Sequence, residues 1–139
     1  MMRLRSGRRT VLGALIAVVW MATGASADAR SVEPDDFRFD DAGALYHLCG
    51  ASADDELFEE ARHACYGFLY GVGLFYKEAL NAGRARKVVC PKEELTRETM
   101  REQYVTWAGA NPDRMDLSPV DALFLAAQAR WPCTGSPHP

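Results

Sequence analysis

The chain has 139 residues, of which 48% are hydrophobic and 25% are charged, and its formal net charge at pH 7 is −3. This length allows one small domain with one hydrophobic core and no second domain. The acidic balance argues against a nucleic-acid partner, because nucleic-acid binding normally requires a basic surface.

The first 27 residues have the pattern of a secretory signal peptide. Four arginines precede an apolar run at residues 11–22, and the small residues of a cleavage site follow at 25–27. The run is shorter than the ~20 apolar residues of a membrane-spanning helix, which favours cleavage over a retained membrane anchor. Arg8 and Arg9 hint at twin-arginine export, but Thr10 departs from the fuller motif and favours general secretion.

We therefore expect an exported protein that is free of the membrane once its leader is removed. The leader contains four of the 16 basic residues and none of the 19 acidic ones. The mature domain then has 12 basic and 19 acidic residues, a net charge of −7. Such a surface favours basic partners and increases the rate at which they meet the protein.

After the leader, residues 28–40 show no helical period and are predicted to be a flexible lead-in. A helical domain is predicted at 41–133, and residues 134–139 are predicted to be a loose tail. The first helix begins after Asp40 or Asp41, which can cap it, and ends at Gly50. Residues 52–55 offer caps for a second helix.

This second helix, centred on residues 61–80, is predicted to be the element against which the rest of the chain packs. Apolar side chains recur every three or four residues, which places them on one broad face. They are Leu57, Ala61, Cys65, Phe68, Leu69, Val72, Phe75, Tyr76 and Leu80. Gly67, Gly71 and Gly73 each weaken an isolated helix by about 1 kcal/mol relative to alanine. Gly67 and Gly71 lie on one side, and internal packing there is favoured over a dimer seam.

Two more helices complete the predicted domain. Thr96 can cap the third, which should end near Ala110 because Asn111 and Pro112 favour a turn. Ser118 followed by proline starts the fourth. Its predicted inner face consists of Val120, Leu123, Phe124, Ala127 and Trp131. No strand alternation or repeat is evident, so we predict a small all-α, four-helix domain.

The four cysteines all lie in the exported part, where an even number favours two disulfides. Three connectivities are possible. The helix map favours Cys49 with Cys65, across a hairpin of the first two helices, and Cys90 with Cys133, across an antiparallel pair of the last two. His47 and His63 each precede a cysteine by two residues, but no Cys-x-x-Cys pair supports the alternative of a zinc site.

No set of residues in the mature chain has the pattern of an active site. A hydrolase needs a nucleophile and a base that can meet, and the serines and histidines are few and mostly in predicted tails or caps. No paired acids, phosphate-binding loop or metal motif is evident. We therefore expect no enzyme activity, no cofactor and no metal.

The order of short motifs is informative. They are Leu48-Cys49, the run CYGFLYGV at 65–72, Cys90-Pro91, Asn111-Pro112 and the final WPC at 131–133. Over residues 44–133 this order resembles the Rap/Tai family of type VI secretion immunity proteins. Phe68 stands where that family tends to have tyrosine, and Asn111 stands where it often has histidine.

The resemblance implies a small helical periplasmic protein that dimerises and occludes the active-site cleft of a peptidoglycan amidase effector. An occluding protein needs a rigid shape and a fitted surface but no catalytic residues. The alternative is a periplasmic chaperone-like or stress protein with no cognate amidase, which would use exposed apolar surface.

For the binding edge we predict the loop at residues 111–117, between the third and fourth helices. Loops that a rigid scaffold holds commonly carry recognition. Its candidate contact residues are Asn111, Asp113, Arg114 and Asp116. The alternative is a plain connector.

Overall fold

A computed structural model describes residues 30–134 of the chain. The predicted signal peptide and residues 135–139 of the predicted tail lie outside the described residues. Four α-helices are present in this part: α1 (Ala42–Cys49), α2 (Phe58–Asn81), α3 (Arg97–Ala110) and α4 (Pro119–Arg130). Two short 3-10 helices, at Pro34–Arg38 and Pro112–Arg114, precede α1 and α4. The predicted all-α, four-helix architecture is confirmed.

No strand ladder forms within residues 30–134. A single antiparallel bridge joins Val89 to Pro132, beside the disulfide that links the segment before α3 to the end of α4. None of the helices in this range combines the length and the hydropathy that crossing a membrane requires.

Three of the four α-helices begin at the cap that the sequence predicts. The side chains of Asp41, Thr96 and Ser118 accept hydrogen bonds from backbone N–H groups in the first turns of α1, α3 and α4. For α2 the expected cap at residues 52–55 is wrong, because this helix begins after Leu57 without a side-chain cap. The carboxylate of Asp55 instead accepts from the N–H groups of Leu57 and Val32, both at 2.8 Å.

The helix at the centre of the fold is α1, which corrects the expectation that everything packs against α2. Although α1 has eight residues, it contacts α2, α3, α4 and the first 3-10 helix. The physical reason is that α1 is apolar almost all round, so that most of its surface must be covered. Five of its residues are buried: Ala42, Ala44, Leu45, Leu48 and Cys49.

One polar group crosses this core. The side chain of Tyr104, on α3, is fully buried, and its hydroxyl donates a hydrogen bond of 2.8 Å to the carbonyl oxygen of Ala42. Burial raises the pKa of the Tyr104 phenol strongly, and the nearby carboxylate of Asp41 raises it further. The tyrosine therefore stays protonated and ties α3 to the first turn of α1.

The lead-in is folded onto the domain rather than loose, so its predicted flexibility is wrong for the 3-10 helix at Pro34–Arg38 and the residues beside it. Val32 and Asp36 are buried. The Asp36 carboxylate accepts two hydrogen bonds from the Arg30 guanidinium, at 2.8 and 3.1 Å, and one from the backbone N–H of Glu33. His47 Nδ1 lies 3.3 Å from the same carboxylate. Burial alone would raise the pKa of Asp36, but the bonds from Glu33, Arg30 and His47 together lower it.

Both predicted disulfides are present. Cys49 pairs with Cys65, which fixes the end of α1 to the second turn of α2, and both residues are buried. Cys90 pairs with Cys133 and so connects the segment before α3 to the residue that follows the bridge at Pro132. The described part of the chain has no free cysteine.

Candidate protein-binding surfaces

The predicted binding loop at residues 111–117 is held tightly by its neighbours. The Asn111 side-chain amide donates to the carbonyl oxygen of Trp107 at 2.7 Å, which satisfies a backbone acceptor at the end of α3. The carbonyl oxygens of Met115 and Leu117 accept from the first residues of α1, at 3.0 and 2.8 Å. The loop is therefore a fixed edge of the fold.

Three of the four predicted contact residues present their side chains to solvent. Asp113, Arg114 and Asp116 are exposed, and Arg114 Nε lies 3.7 Å from Asp113 Oδ2. Asn111 is partly buried, and its amide is used to end α3. Asp116 borders a depression of about 440 Å³ that several other acids line. They are Asp35, Asp36, Asp40 and Asp41.

The outer side of α2 is unexpectedly apolar. Gly67, Gly71 and Gly73 face open space, because a methyl group placed on any of them would have no neighbour within 4 Å. The expectation that Gly67 and Gly71 allow close internal packing is therefore wrong. Near them along α2 are three large exposed side chains, Tyr70 (55% exposed), Leu74 (44%) and Phe75 (73%). Gly67, Tyr70, Gly71, Leu74 and Phe75 form what we call the α2 outer face.

This face continues into an apolar groove between α2 and α4. One part of the groove has a volume of about 560 Å³ and a second part about 460 Å³. Val72, Tyr76 and Phe124 line both parts. Two apolar residues that the sequence places on inner faces are exposed here, Phe75 and Val120. For both residues the predicted burial is wrong, because α2 and α4 scarcely contact each other and a groove separates them.

A row of alternating rings and guanidinium groups lies on the side of α2 that faces α3. The Arg62 guanidinium carbon is 5.6 Å from the ring centroid of Phe58 and 5.8 Å from that of Tyr66. The Arg97 guanidinium carbon, which comes from α3, is 5.8 Å from the rings of both Tyr66 and Tyr70. These distances are within the range of cation–π attraction. We call these five residues the arginine ladder.

The carboxylate of Glu98 joins the ladder to Arg101 through hydrogen bonds. Arg101 donates to one carboxylate oxygen of Glu98 through Nε at 3.0 Å and through Nη2 at 2.6 Å, while the Tyr66 hydroxyl donates to the other. The bond from Arg101 and then that from Tyr66 lower the pKa of Glu98. The remaining nitrogen of Arg101, Nη1, donates to the carbonyl oxygen of Cys49 at 2.8 Å.

Potential metal ligands do not gather anywhere in this range of the chain. Among residues 30–134, no group of three or more His, Cys, Asp or Glu side chains is placed to hold a metal ion. The surfaces described above can offer hydrogen bonds, charge and apolar area. These are the means by which one protein binds another.

The family model of the Rap1a immunity proteins matches residues 41–133. The chain belongs to this family. The match covers about two thirds of the sequence and includes all four α-helices, both disulfides, the 111–117 loop and the arginine ladder. Searches of curated proteins and of solved structures each find no significant match.

Membership of the Rap1a immunity proteins confirms the resemblance that the order of motifs indicates, and it implies a partner effector protein. Sequence reasoning missed the arginine ladder. A partial signal is present, since Phe58, Arg62, Tyr66 and Tyr70 are spaced four apart and so share one side of α2. Arg97 belongs to another helix, and no local pattern connects it to that row.

Proposed function

We propose that this Rap1a protein is a periplasmic inhibitor that binds a type VI secretion peptidoglycan amidase and occludes its active site. The observation that carries the proposal is the family match over residues 41–133, which include all four α-helices. In this proposal the protein performs no chemical step, and its task is to present a fitted surface to the effector.

The architecture suits that task because covalent bonds and hydrogen bonds hold its helices in fixed positions before any partner binds. Two disulfides, three side-chain caps and the Tyr104 hydrogen bond fix the helices relative to one another. A surface that is already ordered loses less conformational entropy when it binds, and more of the contact energy then appears as affinity.

We place one edge of the contact at the 111–117 loop. Its backbone is hydrogen-bonded to α1, and the side chains of Asp113, Arg114 and Asp116 are exposed on that fixed support. Charged side chains on a rigid edge provide orientation and discrimination between partners.

The test is to titrate the processed protein into the amidase effector of its own genome while peptidoglycan cleavage is measured. We expect inhibition that saturates at a fixed ratio of the two proteins. Arg114→Ala with Asp116→Ala should weaken binding without lowering the melting temperature. Lys92→Ala with Glu94→Ala is the matched control, because it removes one base and one acid from another exposed segment. Absence of both inhibition and a complex would overturn the proposal.

The α2 outer face supports a second element of the proposal, a homodimer. Large exposed apolar side chains beside open glycines are typical of a surface that another chain covers. Leu74→Glu with Phe75→Glu should shift the sedimentation of the protein from dimer to monomer. Glu59→Gln with Glu60→Gln, at the exposed start of α2, is the control. A wild-type protein that sediments as a monomer at every concentration would contradict the dimer.

The proposed location is the periplasm, after cleavage following Ala27. The leader pattern supports this location, as does a fold that uses all four cysteines in disulfides. N-terminal sequencing of protein from the periplasmic fraction should begin at Asp28. Protein that stays in the cytosol with its leader attached would refute this part of the proposal.

The exposed apolar face also fits the alternative of a chaperone-like protein. Such a protein would suppress the aggregation of unrelated unfolded proteins, and Leu74→Glu with Phe75→Glu would abolish that effect. A specific inhibitor should leave their aggregation unchanged.

A further inference from the structure

The arginine ladder contains two guanidinium groups, those of Arg62 and Arg97, that lie close to aromatic rings. Arg62 and Arg97 each lie over two aromatic rings, at 5.6 to 5.8 Å from the ring centroids. A guanidinium group is planar and its N–H donors lie in that plane. Attraction to two rings restricts where each group lies, and no hydrogen bond from either group to a protein acceptor in residues 30–134 uses its donors.

Neither of these arginines forms a salt bridge with an acid of the described part of the chain, although the positive charge of Arg62 helps to lower the pKa of Glu98. Other arginines do: Arg30 pairs with Asp36, Arg38 with Asp40, and Arg101 with Glu98. Glu98 already accepts hydrogen bonds on both carboxylate oxygens, one from Arg101 and one from the ladder residue Tyr66. On a mature domain with a net charge of −7, two cations that form no salt bridge are a local excess of positive charge.

The shape of the surface limits the size of the ligand. A cleft of about 250 Å³ opens next to the ladder, and its charged lining residues are Arg62, Arg101 and Glu98, which give it one more positive than negative charge. Pockets for small molecules usually measure about 300 to 1,000 Å³. A smaller, open and polar cleft fits a single side chain that another protein inserts.

We propose that the arginine ladder is the docking site for a pair of acidic side chains on the partner protein. This inference rests on the proposed function, and it names the chemistry by which the effector is recognised. One carboxylate would lie between Arg62 and the cleft, and a second would bind Arg97. The partner's contacting segment is therefore acidic, whereas the negative net charge of this domain alone would favour a basic one.

The ladder and the 111–117 loop lie at opposite ends of α3, which has 14 residues. At 1.5 Å per residue the two sites are about 21 Å apart. An interface of standard size, about 800 Å² on each partner, can include both. The ladder then provides the attraction to acids, and the loop provides a second, oppositely charged contact.

The test compares four proteins in binding to the amidase effector of the same genome: wild type, Arg62→Ala with Arg97→Ala, Arg62→Lys with Arg97→Lys, and Arg84→Ala with Arg86→Ala. We expect the ladder-to-alanine variant to bind at least about tenfold more weakly, with an unchanged melting temperature and a smaller salt dependence. The lysine variant should also bind more weakly, because lysine keeps the charge but loses the flat, two-point geometry. The Arg84 and Arg86 variant removes the same charge from an exposed segment elsewhere and should bind like wild type.

The outcomes separate the two proposals. If wild type binds and inhibits the effector and the ladder variants do so equally well, the docking site is wrong while the proposed function stands. If wild type itself does not bind, the proposed function fails and the docking site fails with it. An equal loss in the Arg84 and Arg86 variant would show general charge attraction and would overturn the assignment to the ladder. Ladder-dependent binding to phosphatidylglycerol vesicles would overturn the assignment to a protein partner.

Discussion

The two sides of this small domain differ in what covers their apolar groups. Around α1, apolar side chains are enclosed by three other helices, and the one buried phenol has its acceptor. On the α2 outer face, Tyr70, Leu74 and Phe75 are exposed beside glycines that touch nothing. The first region is covered within one chain, whereas the second is left exposed by it. Stability and association can therefore be changed independently.

The largest effect on the enclosed region should come from its disulfide. Replacing Cys49 and Cys65 with alanine should lower the free energy of unfolding by about 3 kcal/mol, because the bond closes a loop of 16 residues in the unfolded chain. Urea unfolding of the oxidised wild type and of the variant measures this difference. A loss below about 1 kcal/mol would show that packing around α1 holds without the bond.

The next largest loss of stability should come from replacing the Asp36 carboxylate, which holds the lead-in on the domain. Asp36→Asn should destabilise the protein by about 2 kcal/mol at neutral pH, because the charged acceptor of Arg30 and Glu33 is lost. Since the folded pKa of Asp36 is lowered, wild type has extra stability above the ordinary value of 3.8 and loses it as the pH falls through the folded value. The difference between the two proteins should therefore shrink in acid.

Thermal unfolding between pH 7 and pH 2 measures the effect of Asp36→Asn. The exposed neighbour Asp35→Asn serves as its control and should match wild type at every pH. A gap between Asp36→Asn and wild type that stays constant across this range would contradict the assigned role of the carboxylate.

A smaller loss is expected from the buried phenol. Tyr104→Phe should cost about 1 kcal/mol, because it removes the hydrogen bond to Ala42 and leaves the ring packing intact. Tyr70→Phe removes an exposed hydroxyl and should leave the free energy of unfolding unchanged. Equal effects of the two substitutions would erase the distinction between the enclosed and the exposed region.

The smallest effect should have the opposite sign. Gly67→Ala should raise the free energy of unfolding by about 0.5 to 1 kcal/mol, because it improves helix propensity and meets no neighbouring atom. The same substitution should weaken the proposed dimer if a second chain approaches there. Gly83→Ala is the contrasting control and should destabilise the protein, since its φ of +66° suits glycine. Differential scanning calorimetry and sedimentation together measure both effects.

Local signals in the sequence were sufficient for much of the fold. The caps at Asp41, Thr96 and Ser118 could be predicted because each depends on residues within one turn. The disulfide pairing could be predicted because hairpins of consecutive helices bring Cys49 near Cys65 and Cys90 near Cys133. The centrality of α1 could not, since it depends on how three other helices cover eight residues.

The candidate binding surfaces were harder to predict. The nine apolar positions of the second helix span so broad a face that periodicity alone did not show Phe75 to be exposed. The arginine ladder requires Arg97 to reach the rings of another helix, and this is information about packing rather than spacing. The 111–117 loop was recognised from its turn residues, and its role as a binding edge stays a prediction.

The most direct test of the account measures amidase inhibition by one variant from each region, below the melting temperatures of both. Tyr104→Phe should inhibit as well as wild type although it melts earlier, and Arg62→Ala with Arg97→Ala should inhibit poorly although it melts like wild type. Full inhibition by the arginine variant together with lost inhibition by Tyr104→Phe would contradict the claim that the outer surface, rather than the core, carries the function.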